Sequence, residues 1–382
     1  MHVLRGGTVV DADGVREADV AVKDGRIVAV GDVGRGDAET DVSGQFVAPG
    51  LVDAHVHLMM DGRPDVATAQ QDSEYDRAYV AAANLRAAVE AGVTTVRDLG
   101  APGGLAIDAG DAVAEGRLVG PRVLAAGENV VMTGGHGHWF GREADGPDEV
   151  RTAAREQLKR GADVVKCMAT GGVLTEGART GAPELTPAEL EALVDAASAK
   201  GVPTAAHAHG KEGLLNAVDA GITSIEHGTF MDREAAAAMA DEGTYWVPTA
   251  AALRNIVDNP DAGIPESAMA KAEDSATAFA SSFDHARAEG VKVAMGTDAG
   301  TPFNRFEDIA DELAYMVEFG MSPEAALEAA TVTAAELCGL DDVGLVAEDH
   351  RADLVVLDAN PAEDADAWAD PSTVFADGDR VV

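Results

Sequence analysis

The sequence predicts an α/β protein in which a parallel (β/α)8 barrel carries a small β-sandwich built from both termini. Three observations favour this class. Eight short β-rich runs alternate with Ala-rich helical segments between residues 51 and 319. Both chain ends contain short strands without a helical period. No GxGxxG motif follows an early strand, which counts against a dinucleotide-binding fold.

The termini supply the predicted sandwich. Residues 1–49 contain alternating apolar residues interrupted by DG and GG pairs, which is typical of strands joined by tight turns. The segments ADLVVLDANP and STVFADGDRVV near the carboxyl end have the same character. We therefore expect residues 1–49 and 346–382 to form one β domain, and residues 50–345 to form the barrel.

The eight β-rich runs are the expected barrel strands. They span residues 51–57, 93–98, 122–126, 163–168, 202–208, 222–227, 244–249 and 291–298. Helical segments between them include 73–91, 148–160, 186–200, 232–242 and 305–319. Thr186 and Glu189 form a capping box, and Ser322 followed by Pro323 predicts a further helix start. An open doubly wound sheet is the alternative arrangement for this alternation.

Composition limits the partners and the compartment. The 382 residues carry a formal net charge of −39, and only 7 of the 28 basic residues are lysine. Such a surface should repel nucleic acid and anionic membranes. One explanation of this acidic surface is solubility alone. We expect the other explanation, adaptation to high salt, where salt screens the repulsion between the negative charges. With 2 cysteines, no apolar run of about 20 residues and no signal-like start, a cytoplasmic enzyme is expected.

Polar residues gather where the predicted strands end, which is the catalytic face of a barrel. The set consists of His55 and His57 on strand 1, Lys166 on strand 4, His207 on strand 5 with His209 just beyond, His227 on strand 6 and Asp298 on strand 8. Two histidines at positions i and i+2 of a strand point the same way, but an isolated pair would as readily be two core histidines. Together with His207, His227 and Asp298, the pair predicts a site for zinc or a similar divalent ion.

Lys166 is unusual because it interrupts an apolar strand in the segment ADVVKCMATGG. Strand alternation places Val164, Lys166 and Met168 on one face and Cys167 on the other. Burial lowers the pKa of a lysine, so its neutral amine becomes available to add carbon dioxide. The resulting carbamate has two oxygens and can bridge two metals. An ammonium paired with a nearby acid is the alternative, and the surrounding histidines make us favour the carbamate.

Asp298 ends the last predicted strand, in the segment MGTDAGTPFN. An aspartate there could simply cap the next helix. Beside a metal it would instead bind the ion and accept a proton from the metal-bound water, whose pKa falls toward ~7. The carboxylate would then pass the proton to the leaving group, which makes Asp298 the expected catalytic residue.

The motifs together resemble the amidohydrolase superfamily, and they are most similar to its branch of imidazolonepropionase-like proteins and barrel-type Xaa-Pro dipeptidases (prolidases). They are APGLVDAHVHL, TTVRDLG, VVKCMATGGV, AAHAHG, SIEHGT, GTDAGTPF and ADLVVLDANP, and they cover nearly the whole chain. The resemblance implies a distorted (β/α)8 TIM barrel with a terminal β-sandwich and a binuclear metal site. Imidazolonepropionase itself uses one metal and no bridging lysine, so the lysine at position 166 favours the peptidase-like branch.

The resemblance also assigns roles by position. His55, His57 and Asp298 would bind the more buried metal, His207 and His227 would bind the second, and carboxylated Lys166 would bridge them. Zinc is the expected metal, with manganese or cobalt as alternatives. In the HAHG motif we choose His207 as the ligand because related enzymes place it early in this motif.

Three further histidines are expected to contact the substrate. His209 follows the chosen ligand in the HAHG motif, and His136 and His138 lie in the Gly-rich loop MTGGHGHWFG after strand 3. A solvated loop is the alternative for His136 and His138. The remaining histidines are expected to be structural or exposed, namely His2, His285 and His350.

The expected activity is hydrolysis of an amide C–N bond by a hydroxide that bridges the two metals. An Xaa-Pro dipeptide or an N-acyl amino acid is the leading substrate. Alternatives are an imidazolonepropionase-like cyclic amidase, a lactonase or a deaminase, and a non-catalytic scaffold is disfavoured because all six ligand positions are filled. Partners should be small molecules or dipeptides rather than nucleic acid or membrane, and a homo-oligomer is compatible with the sequence.

Overall fold

The amino-terminal segment forms seven short strands separated by tight turns. In this computed structural model, which describes residues 1–175, 179–260 and 266–382, they are β1 (His2–Arg5), β2 (Thr8–Asp11), β3 (Gly14–Glu17), β4 (Asp19–Lys23), β5 (Arg26–Gly31), β6 (Ala38–Asp41) and β7 (Phe46–Pro49). The turn from β4 to β5 shows why DG pairs mark these hairpins. Asp24 and Gly25 have φ of 51° and 77°, which is the left-handed backbone that a two-residue hairpin turn requires.

Nine further strands follow, and every pairing among them is parallel. They are β8 (Leu51–Val56), β9 (Val93–Asp98), β10 (Arg122–Ala125), β11 (Val130–Val131), β12 (Arg142–Glu143), β13 (Val165–Met168), β14 (Thr204–Ala208), β15 (Ser224–His227) and β16 (Tyr245–Val247). Seven of the eight predicted runs contain one of these strands, and only the short β11 and β12 were not predicted. The ladders form a sheet ordered β10-β9-β8 and another ordered β12-β11-β13-β14-β15-β16.

Helices alternate with these strands as the sequence predicts. They are α1 (Val66–Ala69), α2 (Glu74–Glu90), α3 (Leu105–Ala114), α4 (Pro147–Arg160), α5 (Pro187–Ser198), α6 (Lys211–Asp219), α7 (Arg233–Glu242), α8 (Ala250–Val257), α9 (Glu266–Glu289), α10 (Ala310–Glu318), α11 (Pro323–Ala330) and α12 (Val332–Leu337). Both predicted helix starts are confirmed: Glu189 Oε2 accepts from Thr186 N at 2.7 Å, and Ser322 Oγ accepts from Ala325 N at 3.1 Å. No helix in the described ranges has the length and apolarity that crossing a bilayer requires.

The eighth predicted strand, residues 291–298, lies between β16 and β8 without forming a regular ladder. Ala294 N donates to Trp246 O at 2.9 Å, and Ala54 N donates to Met295 O at 3.0 Å. The segment lies close to its neighbours, since a Cβ at Gly296 would lie 2.5 Å from Val247 Cγ1. The described ladders therefore form two sheets rather than one closed ring, and the fold is a TIM-barrel-like α/β arrangement.

The carboxyl-terminal strands pair with the amino-terminal ones. After β17 (Leu354–Leu357), β18 (Thr373–Ala376) and β19 (Asp379–Arg380), one sheet has the order β19-β18-β17-β7-β2-β3, and a second has the order β5-β4-β1-β6. The two sheets share one apolar cluster, to which Leu4 and Ile27 contribute from one side and Val47, Leu354 and Phe375 from the other. Strands from both termini therefore share a sheet, which is consistent with the expected β domain.

Candidate metal centre

One cavity at the strand ends collects the predicted ligands. The six predicted ligands are at least nine-tenths buried and line this cavity, namely His55, His57, Lys166, His207, His227 and Asp298, and so does His209, which is expected to contact the substrate. They come from five separate segments of the chain, so the parallel arrangement of β8, β13, β14 and β15 brings them together. Lys166 and Met168 both line the cavity while Cys167 packs in the apolar core, as strand alternation predicts.

The ligand atoms form two overlapping groups. Those of His55, His227 and Asp298 all lie within 4.8 Å of one another, and so do those of His207, His209 and His227. His57 joins the first group, because its Nε2 lies 3.3 Å from Asp298 Oδ1, the same distance as His55 Nε2. Imidazole nitrogens and a carboxylate are the donors that zinc and similar divalent ions take. The arrangement therefore fits a metal, and His227 belongs to both groups.

Backbone strain is concentrated at two of these residues. Asp298 has φ of 61° and His227 has φ of 69°, a left-handed conformation that non-glycine residues adopt at a cost of order 1–3 kcal/mol. A hydrogen bond of 2.6 Å from Asp298 N to His55 O holds the first of them. Such strain persists only where the surroundings impose it, and it clusters at functional sites.

Hydrogen bonds fix which nitrogen each histidine of the pair offers. His55 Nδ1 donates to Glu226 Oε2 at 2.9 Å, and His57 Nδ1 donates to the Gly100 carbonyl at 3.0 Å. The Gly100 carbonyl can only accept a hydrogen bond. Glu226 also only accepts because it is ionised: burial raises its pKa, but Arg97 and His55 outweigh this and lower it to about 2. The protons therefore lie on Nδ1, and the Nε2 atoms that face Asp298 are free to bind a metal.

Burial keeps most of the cavity histidines neutral. It lowers the pKa of His209 to about 4 and of His136 to about 3, and it holds the pKa of His207 and His227 well below 6.5. Burial and the nearby Lys166 also lower the pKa of His55 to about 4. Neutral imidazole is the form that binds metals.

Asp298 and His57 influence each other's ionisation. Burial opposes ionisation of both, yet His55, His57 and Lys166 lower the pKa of Asp298 and Asp298 raises the pKa of His57. Asp298 is therefore a carboxylate at neutral pH. A single anionic oxygen facing two imidazole nitrogens is the arrangement expected around a cation.

Lys166 is a buried lysine with no salt-bridge partner among the described residues. It is 1% exposed, and within the described ranges no carboxylate forms an ion pair with its ammonium. Burial lowers its pKa from 10.5, although the charges of Glu226 and Asp298 oppose this. The alternative was a simple ion pair between Lys166 and an acid, and no acid among these residues forms that pair.

His207 and His209 differ in their hydrogen bonds. His209 Nδ1 lies 2.7 Å from Thr229 Oγ1, and its ring stacks on that of His227 at 4.8 Å. His207 Nε2 is buried and has no hydrogen-bond partner among the described residues. A buried polar atom without a partner is costly, so an ion at this place would satisfy it.

The two loop histidines occupy different places. His136 lines the cavity, with Nδ1 2.8 Å from Thr175 Oγ1 and its ring 4.4 Å from that of His207. His138 is exposed, its Nδ1 lies 2.9 Å from the Gly135 carbonyl of its own loop, and it is absent from the described lining. The structure thus brings His136 but not His138 to the site. His2, His285 and His350 are also outside that lining.

A buried ion pair beneath the cavity was not predicted. Arg97 and Glu226 are at most 1% exposed, and Arg97 Nη2 donates to Glu226 Oε1 at 3.1 Å while Ser224 Oγ donates to the same oxygen at 2.6 Å. Each charge interrupts an apolar strand, in TTVRDLG and SIEHGT, which is the signal that singled out Lys166. Applied to these strands, the same criterion would have found the carboxylate that orients His55.

Apolar side chains form the rest of the cavity wall. Its apolar lining includes Met60, Val66, Trp139, Phe140, Val173, Leu174, Leu253 and Ile256. The Phe140 ring lies 5.6 Å from that of His57, so the apolar wall begins next to the ligands. Such a cavity suits a substrate with an apolar group beside the reacting bond.

Comparisons with known proteins agree with this geometry. A model of the amidohydrolase family matches residues 46–381, and a model of the amino-terminal domain of the urease alpha-subunit matches residues 2–53. The chain is similar to a solved Xaa-Pro dipeptidase with methionine bound in the active site, with a TM-score of 0.94 and 33% identity over 99% of both chains.

Two other similar proteins cover almost the whole chain. A prolidase complexed with N-methylphosphonate-L-proline has a TM-score of 0.93 at 30% identity and covers 99% of this chain and 98% of its own. Ochratoxinase of Aspergillus niger is 28% identical over 418 residues, which are 97% of this chain and 84% of that protein.

Proposed function

The chain belongs to the amidohydrolase family and is a hydrolase acting on carbon–nitrogen bonds, and from this premise we propose that it cleaves an Xaa-Pro dipeptide or an N-acyl amino acid in a metal-dependent reaction. One observation carries the proposal: the six proposed ligands, which come from five chain segments, line a single buried cavity in which His227 belongs to two groups of closely spaced ligand atoms. The finer fold, a distorted (β/α)8 TIM barrel with a terminal β-sandwich, belongs to the same proposal.

The ligands divide between two divalent ions, for which zinc is the proposed metal and manganese and cobalt are alternatives. His55, His57 and Asp298 would hold one ion, and His207 and His227 the other, with Lys166 between them. When bound, the ions would supply a water acidic enough to act as nucleophile near neutral pH and would polarise the substrate carbonyl. The chain itself keeps most of the imidazoles neutral, and it places the Nε2 atoms of His55 and His57 against Asp298.

Lys166 would bridge as a carbamate. Its neutral amine forms an N–C bond to carbon dioxide and releases one proton, which gives an anion with two oxygens. The lowered pKa of Lys166 favours the neutral, reactive amine. No carboxylate among the described residues pairs with Lys166, and this favours its conversion to an anionic carbamate. An anion at this position would complement two cations.

Asp298 would move the proton. Its carboxylate is ionised and faces the two Nε2 atoms at 3.3 Å, so it is placed to accept a proton from the nucleophilic water and deliver it to the leaving nitrogen. His136 and His209 line the cavity and would contact the substrate carbonyl or carboxylate. The same role for His138 rests on the sequence alone.

The substrate class follows from the apolar wall and the relatives. Similar structures are a Xaa-Pro dipeptidase with bound methionine and a prolidase with a proline-containing phosphonate. Trp139, Phe140 and Ile256 offer apolar surface beside the ligands, which suits an apolar residue or acyl group. Cyclic amidase, lactonase and deaminase activities are the alternatives for the same ligand set, and a scaffold without catalysis would leave that complete set unexplained.

A substrate panel tests the proposal. Enzyme loaded with zinc, manganese or cobalt in high salt is assayed on Xaa-Pro dipeptides, N-acyl amino acids, cyclic amides, lactones and aminated rings. We expect metal-dependent hydrolysis of dipeptides or N-acyl amino acids, faster with apolar side chains. Exclusive turnover of lactones, cyclic amides or aminated rings, or no turnover with any metal, would overturn it.

Other expectations from the sequence remain proposals. They are the domain boundaries 1–49 plus 346–382 and 50–345, a cytoplasmic location, adaptation to high salt and assembly as a homo-oligomer. The net charge of −39 with few lysines supports the salt adaptation.

A further inference from the structure

The hydroxyl of Thr249 lies between a carbonyl and a histidine of the candidate metal centre. Thr249 Oγ1 donates to the Pro248 carbonyl at 2.6 Å, and the same oxygen lies 2.7 Å from His227 Nδ1. A hydroxyl has one proton, and a carbonyl oxygen can only accept. With its proton given to Pro248, Thr249 must accept from His227, so the imidazole proton lies on Nδ1 and the Nε2 lone pair is free.

Thr249 is itself held in an unfavourable conformation. Its φ and ψ of 55° and 48° are left-handed, which a β-branched residue rarely adopts. The next two residues are fixed by the buried carboxyl group of Glu312 in α10, whose Oε1 accepts from Ala250 N at 2.8 Å and whose Oε2 accepts from Ala251 N at 2.7 Å. Glu312 thus satisfies two free amides at the start of α8 and anchors the turn that carries Thr249.

We propose that Thr249 and Glu312 are positioning residues that keep His227 in the Nδ1–H tautomer, Thr249 by direct contact and Glu312 by holding the turn. The proposal rests on the metal centre proposed above, because only a metal needs the free Nε2. Neither residue belongs to the described cavity lining, so neither would touch the substrate.

His227 is the histidine for which such control matters most. It is the one residue shared by both ligand groups found among the described residues, so a wrong tautomer would weaken both. His55 and His57 donate to a carboxylate and a carbonyl, which can only accept. The partner of His227 is a hydroxyl, which acts purely as an acceptor because Pro248 takes its proton.

Two substitutions at position 249 separate the hydroxyl from the shape. Thr249→Val keeps the branched side chain and removes the oxygen, whereas Thr249→Ser keeps the oxygen. Zinc affinity and stoichiometry of the metal-free protein are measured by calorimetry with a competing chelator. We expect Thr249→Val to lose about 10–100-fold in zinc affinity, as is typical when a group that orients a ligand is removed. Thr249→Ser should stay close to wild type.

Nuclear magnetic resonance reads the tautomer itself. Long-range ¹H–¹⁵N correlations of the metal-free protein should show His227 protonated at Nδ1 in wild type and Thr249→Ser, and a mixture of tautomers in Thr249→Val. A wild-type His227 protonated at Nε2, or a Thr249→Val protein with wild-type zinc affinity, would overturn the proposal. Neither readout uses a substrate, so a failure of the proposed amidase activity would leave these results standing and distinguishable.

Glu312 is tested with a control from its own helix. Glu312→Gln retains one good acceptor for two amides, and we expect a several-fold loss of zinc affinity. Glu318→Gln removes an exposed carboxylate from α10 and should change nothing. Equal zinc affinity in Glu312→Gln and Glu318→Gln would show that Glu312 is not a positioning residue. If Glu312→Gln does not fold, Thr249→Val and Thr249→Ser test the proposal without it.

Discussion

Glu226 Oε2 lies 2.9 Å from His55 Nδ1 and so joins the candidate metal centre to a charged pair buried beneath it. The other oxygen of Glu226 accepts from Arg97 at 3.1 Å, and both charged side chains are at most 1% exposed. One carboxylate therefore neutralises a buried guanidinium and orients a ligand. Stability and metal binding should be coupled through it.

Glu226→Gln should damage both properties. The amide cannot neutralise Arg97, and an unpaired buried charge costs about 3–5 kcal/mol of the free energy of unfolding. Zinc affinity should also fall about 10–100-fold, because His55 loses the partner that fixes its ring. Urea unfolding and zinc titration of the metal-free protein check the two effects.

An exposed pair provides the control for Glu226. Arg86 and Glu90 form a 2.7 Å ion pair with side chains 67% and 44% exposed, so Glu90→Gln should change stability by about 0.5 kcal/mol or less. If Glu226→Gln and Glu90→Gln lowered the free energy of unfolding by similar amounts, the buried ion pair would contribute no more to stability than the exposed one.

Lys166 should carry a carbamate in the metal-loaded protein. After exchange in ¹³C-bicarbonate, a carbamate carbon resonance should appear in wild type and be absent in Lys166→Gln, and metal content should fall when carbon dioxide is excluded. Lys211→Gln is the control, because Lys211 already pairs with Asp232 at 2.7 Å and with Glu234 at 2.6 Å and should keep the resonance. A fully metal-loaded, active enzyme with unmodified Lys166 is incompatible with the bridge.

Asp298→Asn should lower kcat with little change in KM. The amide can still occupy the ligand position, but it cannot accept and return a proton, and this step contributes about 10²–10⁴-fold. Metal content is measured on the same samples. Asp308→Asn, at an exposed position nearby, should leave kcat unchanged. Near wild-type turnover of Asp298→Asn with metal bound would contradict the proton shuttle.

The residues that gather in the cavity could be predicted because the signal is local, whereas the residues that hold them in place could not. His55 and His57 share a face because a strand repeats every two residues, and Lys166 stands out against its own strand. The pairing of Arg97 with Glu226 joins residues 129 positions apart, so it depends on how β9 and β15 are placed. His136 and His138 look alike in sequence, and only the course of their Gly-rich loop turns the first inward and leaves the second exposed.

The irregular eighth run shows the same limit for the fold. Residues 291–298 have the composition of a strand, yet they form no regular ladder, and Asp298 at their end has a left-handed backbone. Alternation predicts a strand there but not the strain that the site imposes on its end. Glu312 is a comparable case, because nothing in its own helix indicates that it holds the amides of α8.

Glu312 should make stability depend on pH in a defined direction. Burial, with the nearby charges of Asp53 and Asp298, raises its pKa from 4.5 to about 8, although the amides of Ala250 and Ala251 oppose this. The unfolded chain loses this proton near pH 4.5, whereas the folded protein keeps it to about pH 8. The unfolded state therefore binds fewer protons across this interval, and the free energy of unfolding must fall as pH rises.

Glu312→Gln removes this contribution and should flatten the profile. The variant carries a constant penalty for its lost acceptor, but its free energy of unfolding relative to wild type should increase steadily from pH 5 to pH 8. Urea unfolding of both proteins at several pH values and one high salt concentration gives this difference, and effects of the overall negative charge cancel in it. A difference that stays constant with pH would mean that Glu312 ionises at its ordinary pKa and that the buried carboxylate accepts both amides as a full anion.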